Sequence, residues 1–130
     1  FHIEESIYGP KYYYPSLGRL AETTRAWEEG LPSDTILVHL TAGRDVIVQR
    51  MKDDPHRYQV MPESDIEEMQ EAFDLEYRRT WIKRKFVIDT SEMTPEGLLE
   101  VFLRESIPHL DTRDLLIRQA QSPSSSSAKR

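Results

Sequence analysis

Apolar and polar positions follow two different periods along this chain, and the period changes at recognisable turn and cap residues. Two short runs are almost continuously apolar and rich in β-branched side chains: Thr35-Ile36-Leu37-Val38-His39-Leu40, after the turn-forming Pro32-Ser33-Asp34, and Lys85-Phe86-Val87-Ile88-Asp89-Thr90. Runs of this length and composition predict β-strands. Their near-continuity further predicts a sheet covered on both faces.

Between and after these runs the period lengthens to three and four. Asp45 to Lys52 predicts a short helix with Val46, Ile47 and Met51 on its inner side and Arg50 pointing away from them. Ile66, Met69, Phe73, Tyr77 and Trp81 form one apolar stripe, which predicts a helix from Ser64 to Trp81. Ser64-Asp65-Ile66-Glu67 has the spacing of a capping box, with Ser64 closing the first turn and Glu67 reaching back. Thr94-Pro95 opens a third helix by a cap followed by proline in the first turn; it presents Leu98, Leu99, Phe102 and Leu103 and should end before Pro108. Asp111 to Gln119 predicts a last, weakly attached helix.

Strands joined through helices over these distances imply an α/β fold with a parallel sheet, flanking helices and right-handed crossovers. Two identifiable strands are few for a doubly wound domain, so further strands are expected from upstream sequence or from a protein partner. Residues 1–120 are read as this one α/β domain. Residues 121–130 are read as a disordered Ser-rich tail, since Ser122 to Arg130 bury too little apolar surface to offset their ordering entropy.

Composition narrows the function classes. The chain has 130 residues and a net charge of −6, which argues against general nucleic-acid or anionic-membrane binding. No apolar run approaches the roughly 20 residues that cross a bilayer. The first residues lack the basic flank and apolar stretch of a secretory signal, so a cytoplasmic or organelle-matrix location is expected rather than secretion. Cysteine is absent, which excludes a disulfide framework or thiolate metal site. His2, His39, His56 and His109 are too scattered to predict a metal site, and His39 inside an apolar strand reads as a satisfied core histidine.

Two clusters carry candidate chemistry. Glu4 and Glu5 form an acidic pair next to Tyr8, Tyr12, Tyr13 and Tyr14, whose rings suit stacking on a base as well as they suit covering a core. Arg50, Lys52 and Arg57 gather cations at and beyond a helix C-terminus, where they complement its dipole or clamp a phosphate.

The segment from Glu4 to Tyr13 resembles the Asp/Glu-Arg-Ser stretch of deoxynucleoside kinases and the Asp-Arg-Tyr stretch of thymidylate kinases. The strand Ile36–Leu40, the helix ending Val48-Gln49-Arg50-Met51, the segment from Lys52 to Arg57 and the run from Phe86 to Ser91 are similar to later elements of those P-loop kinases. The resemblance covers most of residues 3 to 110. It implies a partial three-layer kinase-like fold and the transfer of phosphate from ATP, with Mg2+, to a nucleoside or nucleoside monophosphate.

Carried onto this sequence, the resemblance makes Glu4, at a strand end, and Arg50 catalytic. It makes Tyr8, Tyr12 and Tyr13 substrate-binding, Lys52 and Arg57 the phosphate-contacting lid, and Thr90 and Ser91 the loop beside the nucleotide base; no metal ligand is assigned. Three features depart from the family. No Gly-x-x-x-x-Gly-Lys-Ser/Thr occurs in these residues, so neither ATP nor Mg2+ is expected to bind this chain alone. Glu5 stands where the kinases carry arginine, and Asp53 and Asp54 put negative charge into the lid. The alternative expectation is therefore a non-catalytic structural or accessory subunit with a kinase-like fold, as occurs in respiratory complex I.

Overall fold

The structure is a computed structural model describing residues 2–15 and 26–121. The first element is not a strand end. His2–Tyr8 form helix α1, continued by a π-helical turn over Gly9–Tyr13, so the Glu4-Glu5 pair lies on a helix. Strand β1 spans Ile36–Thr41, helix α2 Arg44–Asp53, helix α3 Ile66–Arg79 and strand β2 Arg84–Asp89. Helix α4 (Pro95–Ser106) and helix α5 (Thr112–Gln121) complete the described chain. Within these residues no helix is long and apolar enough to cross a membrane.

The two strands pair in parallel, with Ile36 opposite Arg84 and Thr41 opposite Asp89. The crossover between them runs through α2 and α3, so the protein is mixed α/β with a two-stranded parallel sheet and flanking helices. Because side chains alternate along a strand, His39 and Lys85 share one face and Val38 and Phe86 the other. On the first face His39 stacks against Phe73 and Tyr77 of α3, and the Lys85 ammonium donates to the Tyr77 carbonyl at 2.7 Å. On the second, Phe86 meets Phe102 of α4 and stacks on His109.

The apolar stripe of α3 places the core. Ile66 and Met69 are buried, each contributing about 1.5–3 kcal/mol through apolar burial. With Ile88 and Ala42 they make up the buried apolar set of the described residues. The expectation of a sheet covered on both faces is corrected here: Leu40 is 53% exposed and Val87 48%. A two-stranded sheet presents too little surface for one helix per face to enclose every apolar side chain.

Helix ends divide into a cap that forms and one that does not. Thr94 accepts from the Gly97 amide, with Pro95 in the first turn of α4. The capping box at Ser64 does not form. The Asp65 amide bonds the Pro62 carbonyl at 3.1 Å, closing a 3-10 turn over Glu63–Asp65, and α3 begins only at Ile66. The Ser64 hydroxyl is turned to Asp65 Oδ1 at 2.9 Å, and Glu67 lies 3.5 Å from Arg44 instead of reaching back. At its other end α3 stops at Arg79, before the half-exposed Trp81.

Helix α4 ends at Ser106, and Pro108 falls in a 3-10 turn over Ile107–His109. Helix α5 has no buried residue, which fits its weak attachment, and extends through Gln121 into the segment read as tail. The remainder of that segment lies outside the described residues.

Candidate functional site

The carboxyl ends of the two parallel strands gather the densest polar contacts that link α2 to β2. At the end of β2, the Thr90 amide and hydroxyl both donate to the Thr41 carbonyl of β1, at 2.8 and 2.9 Å. These bonds extend the ladder one residue beyond the strands and bury Thr90. Arg50, in the last turn of α2, crosses to the same residue. Its Nη1 donates to Thr90 Oγ1 at 2.9 Å and its Nη2 to the Thr90 carbonyl at 2.6 Å. A guanidinium carries five N–H donors, so the two bonds leave three for another acceptor, and the side chain remains exposed.

Ser91 joins the amino end of α2 to the same loop. Its hydroxyl accepts from the Gly43 amide at 2.8 Å and donates to Asp89 Oδ1 at 2.6 Å, and its own amide donates to that carboxylate at 2.9 Å. The Ser91 hydroxyl, with its amide second, holds the Asp89 carboxyl below the usual aspartate range. The result is a polar cluster made from both ends of α2 and the loop after β2. It could not be read from spacing, because Arg50 and Thr90 are forty positions apart in the chain.

The other residues singled out by the sequence lie elsewhere. Glu4 and Tyr8 line a cavity of about 750 Å³ between α1, α3 and β1. Tyr8 meets Tyr12 and Phe73 in tilted ring contacts, and burial, reinforced by Glu4, pushes its phenol up. Tyr12 points to the turn before α3 and donates to Asp65 Oδ2 at 2.7 Å. Burial first, and this bond second, push its phenol up to about 12. Tyr13 and Tyr14 are exposed, and their rings meet at a tilt with centroids 6.2 Å apart. Lys52 lies 3.9 Å from Glu63, and Arg57 lies over the Tyr58 ring at 5.4 Å. Thus Arg50, Thr90 and Ser91 are brought together, whereas Lys52, Arg57 and the tyrosines are held by other partners.

Sequence reasoning missed one polar junction. Glu28 Oε1 accepts from the Thr80 hydroxyl at 2.6 Å and lies 2.8 Å from His2 Nε2, while Oε2 accepts from the Trp81 amide at 2.9 Å. Its side chain is 5% exposed. Glu28 lies outside the periodic apolar segments of the sequence, so only the fold reveals it.

The residues present fit ATP only in part. Arg50 offers spare donors and the Thr90-Ser91 loop offers hydroxyl groups beside it. The Gly43 amide at the start of α2 is already taken by Ser91, so the cluster supplies no open cradle of N–H groups for a phosphate chain. Among the described residues no group of three or more His, Asp or Glu is placed to hold a metal ion. Comparison of the chain with protein-family models, with curated proteins and with solved structures finds no match.

Proposed function

We propose that this chain is the C-terminal part of a P-loop nucleoside or nucleotide kinase-like protein, in which ATP and Mg2+ phosphorylate a nucleoside or nucleoside monophosphate. One observation carries the reading. Arg50 and the Thr90-Ser91 loop meet at the carboxyl end of a parallel strand pair, the position at which open α/β sheets bind ligands. In this reading Arg50 uses its remaining N–H groups on the donor nucleotide, stacking on its base or forking to phosphate oxygens. Thr90 fixes the guanidinium plane, and Ser91 holds the loop against α2. Glu4 and Tyr8 belong to the acceptor side, through the cavity they line. The P-loop and its metal-holding hydroxyl come from polypeptide outside these residues.

The test is phosphoryl transfer from ATP–Mg2+ to a panel of nucleosides and nucleoside monophosphates by the protein that carries these residues. Lysine keeps the charge of Arg50 but loses the planar fork. Both Arg50→Lys and Arg50→Ala are therefore expected to lower turnover on the order of 10²-fold, the usual scale for a charge-stabilising donor. Wild-type turnover in Arg50→Ala removes Arg50 from the chemistry. The 130 residues alone are expected to show no micromolar ATP–Mg2+ site by calorimetry.

A second reading, an accessory subunit with a kinase-like three-layer fold and no catalysis, is favoured by a specific feature of α4 and α5. Leu99, Leu103, Leu116 and Ile117 are exposed on them, as expected of helices that pack against another chain. Absence of turnover with every acceptor, in a protein that retains its fold, supports that reading over the first.

A further inference from the structure

The cavity beside β1 has an unusual wall. It is lined without a gap by Leu37 to Ala42, six consecutive residues. Successive side chains of a strand point to opposite faces, so a cavity that touches every residue in turn meets the strand's edge rather than one of its faces. The opposite edge of β1 is taken by β2, and among the described residues no strand pairs with this one. At its far end the Gln70 amide donates to the Ala42 carbonyl at 2.7 Å, a side-chain donor standing where the N–H of a neighbouring strand would stand.

The cavity also has a sign. Glu4, Glu67, Glu71 and Asp74 line it, and neither lysine nor arginine does. A second copy of this chain would bring the same carboxylates against themselves at a two-fold edge, which like-charge repulsion opposes. An extended segment of opposite charge is attracted to it.

We propose that the open edge of β1 binds one β-strand of a polypeptide partner, an extended segment that alternates apolar with basic residues. Main-chain bonds to the β1 edge supply the pairing, the apolar residues fill the space beside Leu37, Phe73 and Tyr77, and the basic residues meet the carboxylate wall. Such an addition enlarges a sheet that leaves Leu40 half exposed. The proposal does not depend on the kinase reading, because no nucleotide takes part in it.

Backbone amide exchange on the isotopically labelled chain tests it with three short synthetic peptides. The first alternates lysine and valine, the second glutamate and valine, and the third is the lysine–valine peptide N-methylated at alternate amides. The lysine–valine peptide is expected to slow exchange of the β1 amides that do not bond β2, by about tenfold or more. The N-methylated and glutamate peptides leave these amides unchanged, and Glu71→Lys weakens the protection by the lysine peptide. The β2 amides bonded to β1 report throughout that the sheet is intact. Failure of the lysine–valine peptide to protect β1 overturns the proposal. Equal protection by the lysine and glutamate peptides overturns its charge selectivity. Concentration-dependent self-association that protects the same amides assigns the edge to a second copy instead.

Discussion

Glu28 and Arg50 each gather backbone and hydroxyl groups around one charge, and the residues they hold flank β2 in the sequence. Glu28 holds the residues that precede the strand, Thr80 and Trp81, together with His2 of α1. Arg50 holds Thr90, the residue that follows it. The difference lies in what is left over. Glu28 is shielded from water and spreads three contacts over its two oxygens, whereas Arg50 is exposed and keeps three of its five donors free. A shielded carboxylate whose two oxygens both bond elements of the fold serves to hold the fold. A charge with spare donors at the ligand-binding end of a parallel sheet can also meet a ligand.

Removing the shielded charge should have the larger effect on stability. Hydrogen bonds to charged groups contribute about 1.5–3 kcal/mol, and Glu28→Ala would leave the Thr80 hydroxyl and Trp81 amide without their acceptor. A loss on the order of 2–4 kcal/mol is expected in urea unfolding. Arg50→Ala exposes groups that water can reach, and a loss of about 1 kcal/mol or less is expected. Equal losses for the two would abolish the distinction between a structural and a free charge.

Acid titration sharpens the same contrast. Burial alone would raise the Glu28 carboxyl, but the bonds from Thr80, His2 and the Trp81 amide outweigh it and set the folded value below the ordinary glutamate value of 4.5. A carboxylate with a lowered folded pKa contributes stability above its unfolded pKa and loses it as pH falls through the folded one. Stability should therefore decline on the acid side of about pH 4.5, and Glu28→Gln should flatten that decline. Unfolding midpoints measured from about pH 6 to about pH 3 check this. A wild-type slope in Glu28→Gln would place the linked proton elsewhere.

An alkaline counterpart sits in the tyrosine segment. The Tyr12 phenol is pushed up to about 12, by burial and by its bond to Asp65. Here the neutral form is favoured by folding, so its contribution is complete below the ordinary phenol value of 10.0 and is lost as pH rises through about 12. Tyr12→Phe should cost about 1 kcal/mol at neutral pH and remove this alkaline dependence. Unchanged stability at neutral pH would show that the bond to Asp65 holds nothing.

What could be read from the sequence was set by how local its cause is. The strands were legible because β-branched residues crowd into Ile36–Leu40 and Phe86–Ile88, and the crossover through helices made their pairing parallel. Thr94 was legible because the residues that complete its cap are its immediate neighbours. Ser64 misled because the turn closed by the Pro62 carbonyl competes with the capping box, and spacing alone does not weigh the two. The Glu28 junction spans His2 to Trp81 and leaves no periodic trace. Arg50, Thr90 and Ser91 were each picked out by resemblance, but their contact depends on how far α2 reaches along the sheet, which only the fold determines.

The smallest expected effect concerns Ser91, the link between the Arg50 cluster and the start of α2. Its hydroxyl accepts from the Gly43 amide and donates to Asp89 in an exposed position, so water can replace both partners in Ser91→Ala. The stability change should be about 0.5 kcal/mol, at the low end for a hydrogen bond. The carboxyl of Asp89 is the more sensitive reporter. It lies below the usual aspartate range chiefly through the Ser91 hydroxyl, with the Ser91 amide second. In Ser91→Ala the amide bond survives, so the pKa should rise part of the way towards the ordinary value. A carboxyl-detected NMR titration of Asp89 measures this without requiring any change in fold. The sign follows from the lowered value: the bond favours the folded state above the unfolded pKa of Asp89 and is lost as pH falls through the folded one. An unchanged Asp89 titration would mean that the Ser91 hydroxyl does not bond the Asp89 carboxylate in solution.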